Sequence, residues 1–162
     1  MADRVERGKQ WLENLLQLMG IQATATSEGF ETIAEDEESC WLNISTESLT
    51  PEQIQLLIGN RGVNIDAMQY LANTILNLLQ DRDSQGSYTI ELNSYRVNRY
   101  QELLEIADTA ATQVRDTGRE IEVPNLSSAE RRQIHSFLQN STDIITESRG
   151  QEPERKLVVK LR

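Results

Sequence analysis

Two glycines, Gly59 and Gly62, lie between two amphipathic helical patterns and constrain the fold more strongly than any other stretch. Ahead of them, Thr50 can cap a helix that starts at Pro51, and Gln53 completes a capping box. Behind them, apolar residues recur at three- and four-residue steps, which is typical of a helix that buries one stripe. These apolar residues are Ile65, Met68, Ala72, Ile75, Leu76 and Leu79. The sequence therefore predicts a helix, a glycine loop and a second helix.

The glycine loop has two interpretations. Glycine lets another backbone approach closely, and the amides at the start of the following helix attract anions. With Arg61 at its tip, the loop Gly59-Asn60-Arg61-Gly62 would then bind a phosphate. Alternatively, Gly59 only ends the first helix and Gly62 only permits the turn. A Gly-x-x-G tetrapeptide is a weak motif and does not decide between the two.

Charge argues for binding through local patches only. The 162 residues suffice for one medium domain or two small ones, and the formal net charge is −10. Such acidity weighs against a nucleic-acid partner, which usually contacts a basic domain. Residues 1–95 carry 5 basic and 15 acidic side chains, however, whereas residues 96–162 carry 11 of each. All the excess acidity lies in the first part and includes the run at 35–38, which is predicted to be a solvated loop. An acidic surface lowers non-specific affinity, so binding of a nucleic acid should depend on localised patches.

Several functional classes find no support in the sequence. No apolar run approaches the length of a membrane span, and the first residues lack the pattern of a secretory signal. Cys40 is a lone cysteine without a basic neighbour, so we expect a core residue rather than a nucleophile or a disulfide. No cluster has metal-ligand spacing. We therefore expect a cytoplasmic protein that uses no metal, cofactor or small-molecule substrate and does not act at a membrane.

The element order of the first half is informative. Periodicity predicts a helix over residues 4–19, strands over 21–26 and 40–45, the two helices around the glycine loop, and a strand through Tyr88, Ile90 and Leu92. This order, α-β-β-α-α-β with the loop between its last two helices, resembles a type II KH domain. The resemblance implies that residues 4–93 form a KH-like domain whose loop clamps the backbone of a single strand.

The second half reads as a small α/β unit over residues 94–162. A long helix is predicted for residues 95–115, followed by a strand at 119–123. Ser127 and Glu130 then form a capping box that opens a short helix. Two further strands are predicted at residues 142–148 and 156–161, joined by a turn that contains Pro153.

Arg131 and His135 of the short helix are four residues apart and therefore project from one face, with Arg132 beside them. A guanidinium suits a phosphate, and an imidazole can hydrogen-bond a phosphate or stack on a base. A boundary histidine next to an ion-paired arginine would show the same spacing. The spacing alone favours this second interpretation, because Arg-x-x-x-His is common by chance.

The wider context of this pair resembles a known domain. The relevant segments are Tyr95-Arg96 with Arg99, Thr117-Gly118-Arg119, Glu130 to His135, Thr146 to Gly150, and Glu152 to Arg155 with Val158-Val159. Together they resemble the R-3-H domain, which is named for its Arg-x-x-x-His. The two halves, over residues 5–162, resemble the bacterial Jag family, also called KhpB, in which a KH domain precedes an R-3-H domain.

This resemblance implies an α+β protein that binds single-stranded RNA, and also single-stranded DNA, without catalysis, as a post-transcriptional regulator or RNA chaperone. The family's functional positions correspond to Gly59, Asn60, Arg61 and Gly62 in the loop and to Arg131 and His135 in the second domain. Further basic candidates are Arg132, Arg96, Arg99 and Arg155. Asn60 stands where the family commonly carries a basic residue.

Two other functions remain as alternatives. An adaptor could dock a protein partner, such as a small KH-domain protein, through its amphipathic helices. A phosphodiester-processing enzyme would have to centre on His135, the only histidine of the chain. One histidine supplies no acid and base pair, so this alternative is disfavoured and no catalytic residue is assigned.

Overall fold

A computed structural model describes residues 2–33, 38–78 and 80–162. Residues 35–37 of the predicted acidic loop and Leu79 of the predicted helical stripe lie outside the described residues. The chain divides into two compact units, Met1–Asn98 and Arg99–Arg162. The domain limits predicted from the sequence, 4–93 and 94–162, stay predictions.

The first unit has the predicted element order. Its elements are α1 (Ala2–Leu18), β1 (Ala25–Thr26), β2 (Cys40–Ile44), α2 (Pro51–Ile58), α3 (Val63–Asn77) and β3 (Tyr88–Leu92). A single 3-10 turn at Asn60–Gly62 joins α2 to α3. Helix α4 (Tyr95–Thr117) begins in this unit and continues into the second. Helices and sheets are mixed along the chain, which confirms the α+β class.

The sheet of the first unit has the order β1-β2-β3. Strand β1 is antiparallel to β2, and β2 is parallel to β3, with Leu42 opposite Ile90. The core between sheet and helices contains Leu12 and Leu16 of α1 and Ile65 of α3. Cys40 is also buried there, as expected of a core residue, and burial raises the pKa of its thiol.

Strand β1 is shorter than the predicted strand at 21–26. Ile21 is buried, but its N–H donates to the Leu16 carbonyl at 2.9 Å and so completes the end of α1. Pairing with β2 starts only at Ala25. The alternation of apolar residues therefore reflected burial in a connecting segment rather than membership of the sheet.

Helix α3 buries a narrower stripe than predicted. Ile65, Met68, Ala72 and Leu76 are buried, whereas Ile75 is about half exposed. Successive helical residues are about 100° apart around the helix axis. Ile75 precedes buried Leu76 in the sequence and therefore points away from it, toward solvent. Among the described helices, none is long and apolar enough to cross a membrane.

The second unit packs α4 and one short helix against a sheet. Its further elements are β4 (Ile121–Val123), α5 (Ser128–Leu138), β5 (Ile144–Arg149) and β6 (Lys156–Leu161). The sheet order is β4-β6-β5, and both pairings are antiparallel. Central strand β6 buries Leu157, Val158 and Val159. Strand β6 has the limits that the sequence predicted, 156–161, whereas β4 and β5 each start two residues later than predicted.

Candidate nucleic-acid interface

Helix α5 is fixed at its start by the predicted capping box. The Glu130 N–H donates to Ser127 Oγ at 3.1 Å, and the Ser127 N–H donates to Glu130 Oε2 at 2.9 Å. The other oxygen of Glu130 accepts a bond from Arg99 Nε of α4 at 2.7 Å. One carboxylate therefore caps α5 and ties it to α4, which sets the position of the next turn of α5.

Arg131, in that turn, is buried, with 4 % of its surface exposed. Its Nη1 donates to the carbonyl oxygens of Leu126 at 2.8 Å and Arg155 at 3.4 Å. Its Nη2 donates to the carboxylate of Glu152. A buried cation must be paired and hydrogen-bonded, and these three partners meet that requirement. Arg131 thereby ties the start of α5 to the turn before β6.

His135 lies one helical turn after Arg131 and is exposed. Its Nδ1 shares a hydrogen bond with the Thr146 hydroxyl of β5. This bond orients the ring, and it involves a neutral hydroxyl rather than a carboxylate. The imidazole is therefore held in place by a hydroxyl of the neighbouring strand.

A concavity of about 430 Å³ brings four predicted residues together. Arg131, Arg132 and His135 come from α5, and Arg155 comes from the turn before β6. Hydroxyl side chains and the carboxylates of two glutamates complete its polar lining. These residues are Ser128, Thr146, Ser148, Glu147 and Glu152.

Two other cations of this concavity differ from Arg131 in their contacts. Arg132 and Arg155 are exposed. Within the described ranges neither side chain makes an ion pair or a hydrogen bond. Their guanidinium groups are therefore available to a ligand, unlike that of Arg131, which already has a carboxylate partner.

Arg96 and Arg99 lie outside this group and are held by other contacts. Arg96 donates to the Ile90 carbonyl at 3.2 Å and to Gln69 at 3.1 Å, and it pairs with Asp66 at 2.5 Å. Arg99 pairs with two glutamates, Glu130 and Glu102, each at 2.7 Å. The hydrogen bond to Glu130 raises the pKa of Arg99 above its ordinary value.

The glycine loop has a backbone that explains both glycines. Gly59 ends α2 with φ +77°, and its N–H donates to the Gln55 carbonyl at 2.8 Å. Gly62 is buried with φ +76° and precedes the first turn of α3. Arg61 also has positive φ, +54°, and is exposed together with Asn60. Glycine is therefore required by backbone conformation here, and the polar tip faces solvent.

Three important contacts were not predicted from the sequence. Glu152 and Thr146 are the partners of Arg131 and His135, but they lie 21 and 11 residues away in sequence. Buried Glu91 accepts bonds from the N–H groups of Arg96 and Val97 at the start of α4. An acidic residue in a buried strand just before a helix is the one signal that pointed to this cap.

A metal centre finds no support in the described part of the chain, where no group of three or more His, Cys, Asp or Glu side chains could hold an ion.

Comparison with known proteins identifies relatives over nearly the whole chain. The R-3-H domain family matches residues 101–161. A protein named RNA-binding protein KhpB from Clostridium symbiosum is 28% identical over 159 residues, which cover 97% of this chain and 66% of that protein. KhpB from Lactiplantibacillus plantarum is 34% identical over 107 residues, or 66% of this chain and 33% of the relative.

KhpB from Streptococcus pneumoniae serotype 2 is 32% identical over 150 residues, covering 92% of this chain and 42% of the relative. The chain thus spans between about one third and two thirds of the length of these relatives. The R-3-H match begins within α4 and ends at the last residue of β6, so it includes the whole concavity of Arg131 and His135. The second unit therefore carries an R-3-H domain, and the chain is similar to proteins named KhpB over nearly its whole length.

Proposed function

We propose that this chain binds single-stranded nucleic acid, RNA in preference to DNA, and does so without catalysis. The observation that carries the proposal is the concavity in which Arg132, Arg155 and His135 meet. The guanidinium groups of Arg132 and Arg155, which have no partner among the described residues, attract phosphates, and the exposed imidazole supplies a surface for a base.

The shape of the site favours a single strand over a duplex. A base that is splayed out of a single strand can enter a concavity, whereas the bases of a duplex are stacked and paired inside a convex surface. The two glutamates that also line the site repel phosphates, so only a few contacts are favourable. We therefore expect modest affinity with a clear dependence on salt.

The glycine loop is proposed as a second contact site in a KH-like domain of residues 4–93, followed by an R-3-H domain of residues 94–162. Exposed Asn60 and Arg61 stand at its tip, and the amides at the start of α3 add partial positive charge. One arginine gives a weak site. Two linked weak sites bind one strand more tightly than either alone, because the second contact forms at high effective concentration.

The names of the relatives support RNA as the ligand, because each is called an RNA-binding protein. The geometry of His135 supports the absence of catalysis. A general base is usually oriented by a carboxylate and lies next to a nucleophile or a metal, whereas His135 Nδ1 bonds the neutral Thr146 hydroxyl. The proposed role is that of a cytoplasmic post-transcriptional regulator or RNA chaperone.

The test is a titration of labelled single-stranded RNA, single-stranded DNA and RNA duplex at two salt concentrations. We expect both single strands to bind, RNA more tightly, with affinity falling as salt rises. Replacing Arg132 and Arg155 together by Ala should weaken binding, whereas Arg119→Ala removes an exposed arginine outside the concavity and should have little effect. Absence of salt-dependent binding to either single strand would contradict the proposal.

A second candidate function, docking of a protein partner, is favoured by the outer face of α3. This face exposes large apolar side chains, including Tyr70 at 70 %, and Leu78, directly after the helix, is 74 % exposed. Others on the same helix are Val63, Leu71 and Ile75. Exposed apolar stripes of this kind are typical of protein interaction sites. A small KH-domain protein is the proposed partner.

The adaptor function is tested by co-purification with that partner after nuclease treatment. Tyr70→Lys should abolish co-purification and leave RNA affinity unchanged. Loss of the complex on nuclease treatment of the unaltered protein would show that RNA alone links the two proteins.

A further inference from the structure

Arg131 is the arginine of the R-3-H motif, yet its hydrogen-bonding edge is already occupied. Two of its partners are the backbone carbonyls of Leu126 and Arg155. The third is the side chain of Glu152, whose carboxylate meets Nη2. A phosphate that approaches this guanidinium from the concavity therefore meets an ion pair rather than a free cation.

The three partners differ in how easily they can leave. The carbonyls are fixed by the backbone. Glu152, in contrast, has a side chain that is 59 % exposed, and both it and Arg131 line the concavity. Within the described residues, Glu152 has no hydrogen-bond partner besides Arg131. Its carboxylate can therefore rotate into water and regain hydration while the rest of the turn stays in place.

We propose that Glu152 and a nucleic-acid phosphate compete for the same edge of Arg131, so that Glu152 sets the affinity of the site. This inference rests on the proposed function. A carboxylate and a phosphate present similar oxygen pairs to a guanidinium. Replacing one by the other keeps the buried cation paired throughout, which avoids the large penalty of an isolated buried charge.

The competition predicts a specific salt dependence. In the unaltered protein, the Glu152 carboxylate neutralises the charge of Arg131. A phosphate that binds Arg131 therefore displaces this carboxylate and releases no counterion from solution. Without the carboxylate charge, Arg131 attracts solution anions that a phosphate must displace. The slope of log affinity against log salt should then steepen by about 0.7 for a single strand.

The experiment compares the full chain with Glu152→Gln and Glu154→Gln. Glutamine keeps the size and the acceptor oxygen of Glu152 and removes only the charge. Glu154 lies in the same exposed turn and is not among the residues that line the concavity, so its replacement controls for the general loss of one negative charge. The probe is a labelled single-stranded oligoribonucleotide, titrated at several salt concentrations.

We expect Glu152→Gln to bind roughly two- to five-fold more tightly than Glu154→Gln, the range of a surface ion pair, and with the steeper slope. Equal affinity and slope in the two variants, with binding by the unaltered chain, would overturn the inference and leave the proposed function intact. Failure of all three proteins to bind would overturn both. Binding by Glu152→Gln alone would support the competition.

A measurement on the unaltered chain covers the case of a variant that does not fold. The side-chain carboxyl resonance of Glu152 should shift on addition of the oligoribonucleotide, because the carboxylate leaves Arg131. The resonance of Glu154 should move less. An unchanged Glu152 signal at saturating RNA would overturn the inference.

Discussion

The ring of Tyr95 lies against the backbone of Gly62. A Cβ atom placed on Gly62 would come within 2.6 Å of the Tyr95 Cζ atom and closer still to its hydroxyl oxygen. Tyr95 is the first residue of α4, and Gly62 closes the loop between α2 and α3. The glycine loop is therefore held against the start of α4 by direct contact, independently of any ligand.

Replacing Gly62 by Ala should lower the free energy of unfolding by about 2–4 kcal/mol, because it combines a strained positive φ with overpacking against an aromatic ring. Chemical denaturation monitored by circular dichroism measures this loss. Gly20 has φ +78°, and a Cβ atom placed there would have nothing within 4 Å, so Gly20→Ala isolates the cost of backbone strain. Equal losses of unfolding free energy in the two variants would show that the Tyr95 ring moves aside without a cost.

The cap of α5 should matter for stability through one hydroxyl. Ser127→Ala removes the acceptor of the Glu130 N–H and should cost about 1 kcal/mol. Ser136 lies exposed in the last turn of the same helix, where alanine is the better helix former, so Ser136→Ala should be neutral or slightly stabilising. Thermal unfolding of the two variants makes the comparison. A neutral Ser127→Ala would mean that Glu130 alone holds the start of the helix.

Replacing Arg99 should change the stability of the protein more than its RNA affinity, although the sequence also makes Arg99 a candidate for a contact with RNA. Its removal leaves the part-buried Glu130 carboxylate without its cation, which should cost about 1–3 kcal/mol. Arg99→Ala should therefore lower the melting temperature, whereas Arg132→Ala should lower RNA affinity and leave melting unchanged. The reverse pattern, lost affinity with unchanged melting for Arg99→Ala, would identify Arg99 as a ligand contact.

Acid should weaken the contacts of Arg149. Hydrogen bonds from Arg149 hold the pKa values of Glu120 and Glu147 below their ordinary value, and Lys160 contributes at Glu147. A lowered folded-state pKa stabilises the fold above the ordinary value of 4.5, and this contribution disappears as pH falls through the folded-state pKa. Arg149→Gln should raise both pKa values and reduce the sensitivity of stability to acid.

Carboxyl carbon resonances followed through a pH titration measure these two pKa values directly. Arg119→Gln is the matched control, since Arg119 is exposed and makes no ion pair within the described residues. Unchanged pKa values of Glu120 and Glu147 in Arg149→Gln would contradict the assigned cause.

The limits of prediction from sequence follow from the range of the interactions. The caps at Thr50 and Ser127 were predictable because each bond spans three residues. Arg131 and His135 both lie in α5 and are four residues apart, so they project from one face of the helix, as their spacing predicts. Burial of Arg131 was not predictable, because its partners Glu152 and Arg155 are brought in by the fold of the sheet.

The same distinction explains the differences in the first unit. Ile21 has the alternation of a strand but uses its N–H to close α1. Ile75 has helical periodicity but lies beside the buried stripe, where it contributes to the exposed face of α3. In both cases the sequence pattern showed an apolar residue at a regular spacing. Whether that residue pairs in the sheet or is buried in the core depends on contacts with distant parts of the chain.

The most direct test of the central claim is to map amide chemical shifts of the full chain during titration with a single-stranded oligoribonucleotide. We predict that the largest changes fall on residues 128–135 of α5, on Thr146 and Ser148 of β5, and on the turn with Arg155, with smaller changes at 59–62. Changes confined to the exposed face of α3, or an absence of changes at saturating RNA, would contradict the assignment of this concavity as the nucleic-acid site.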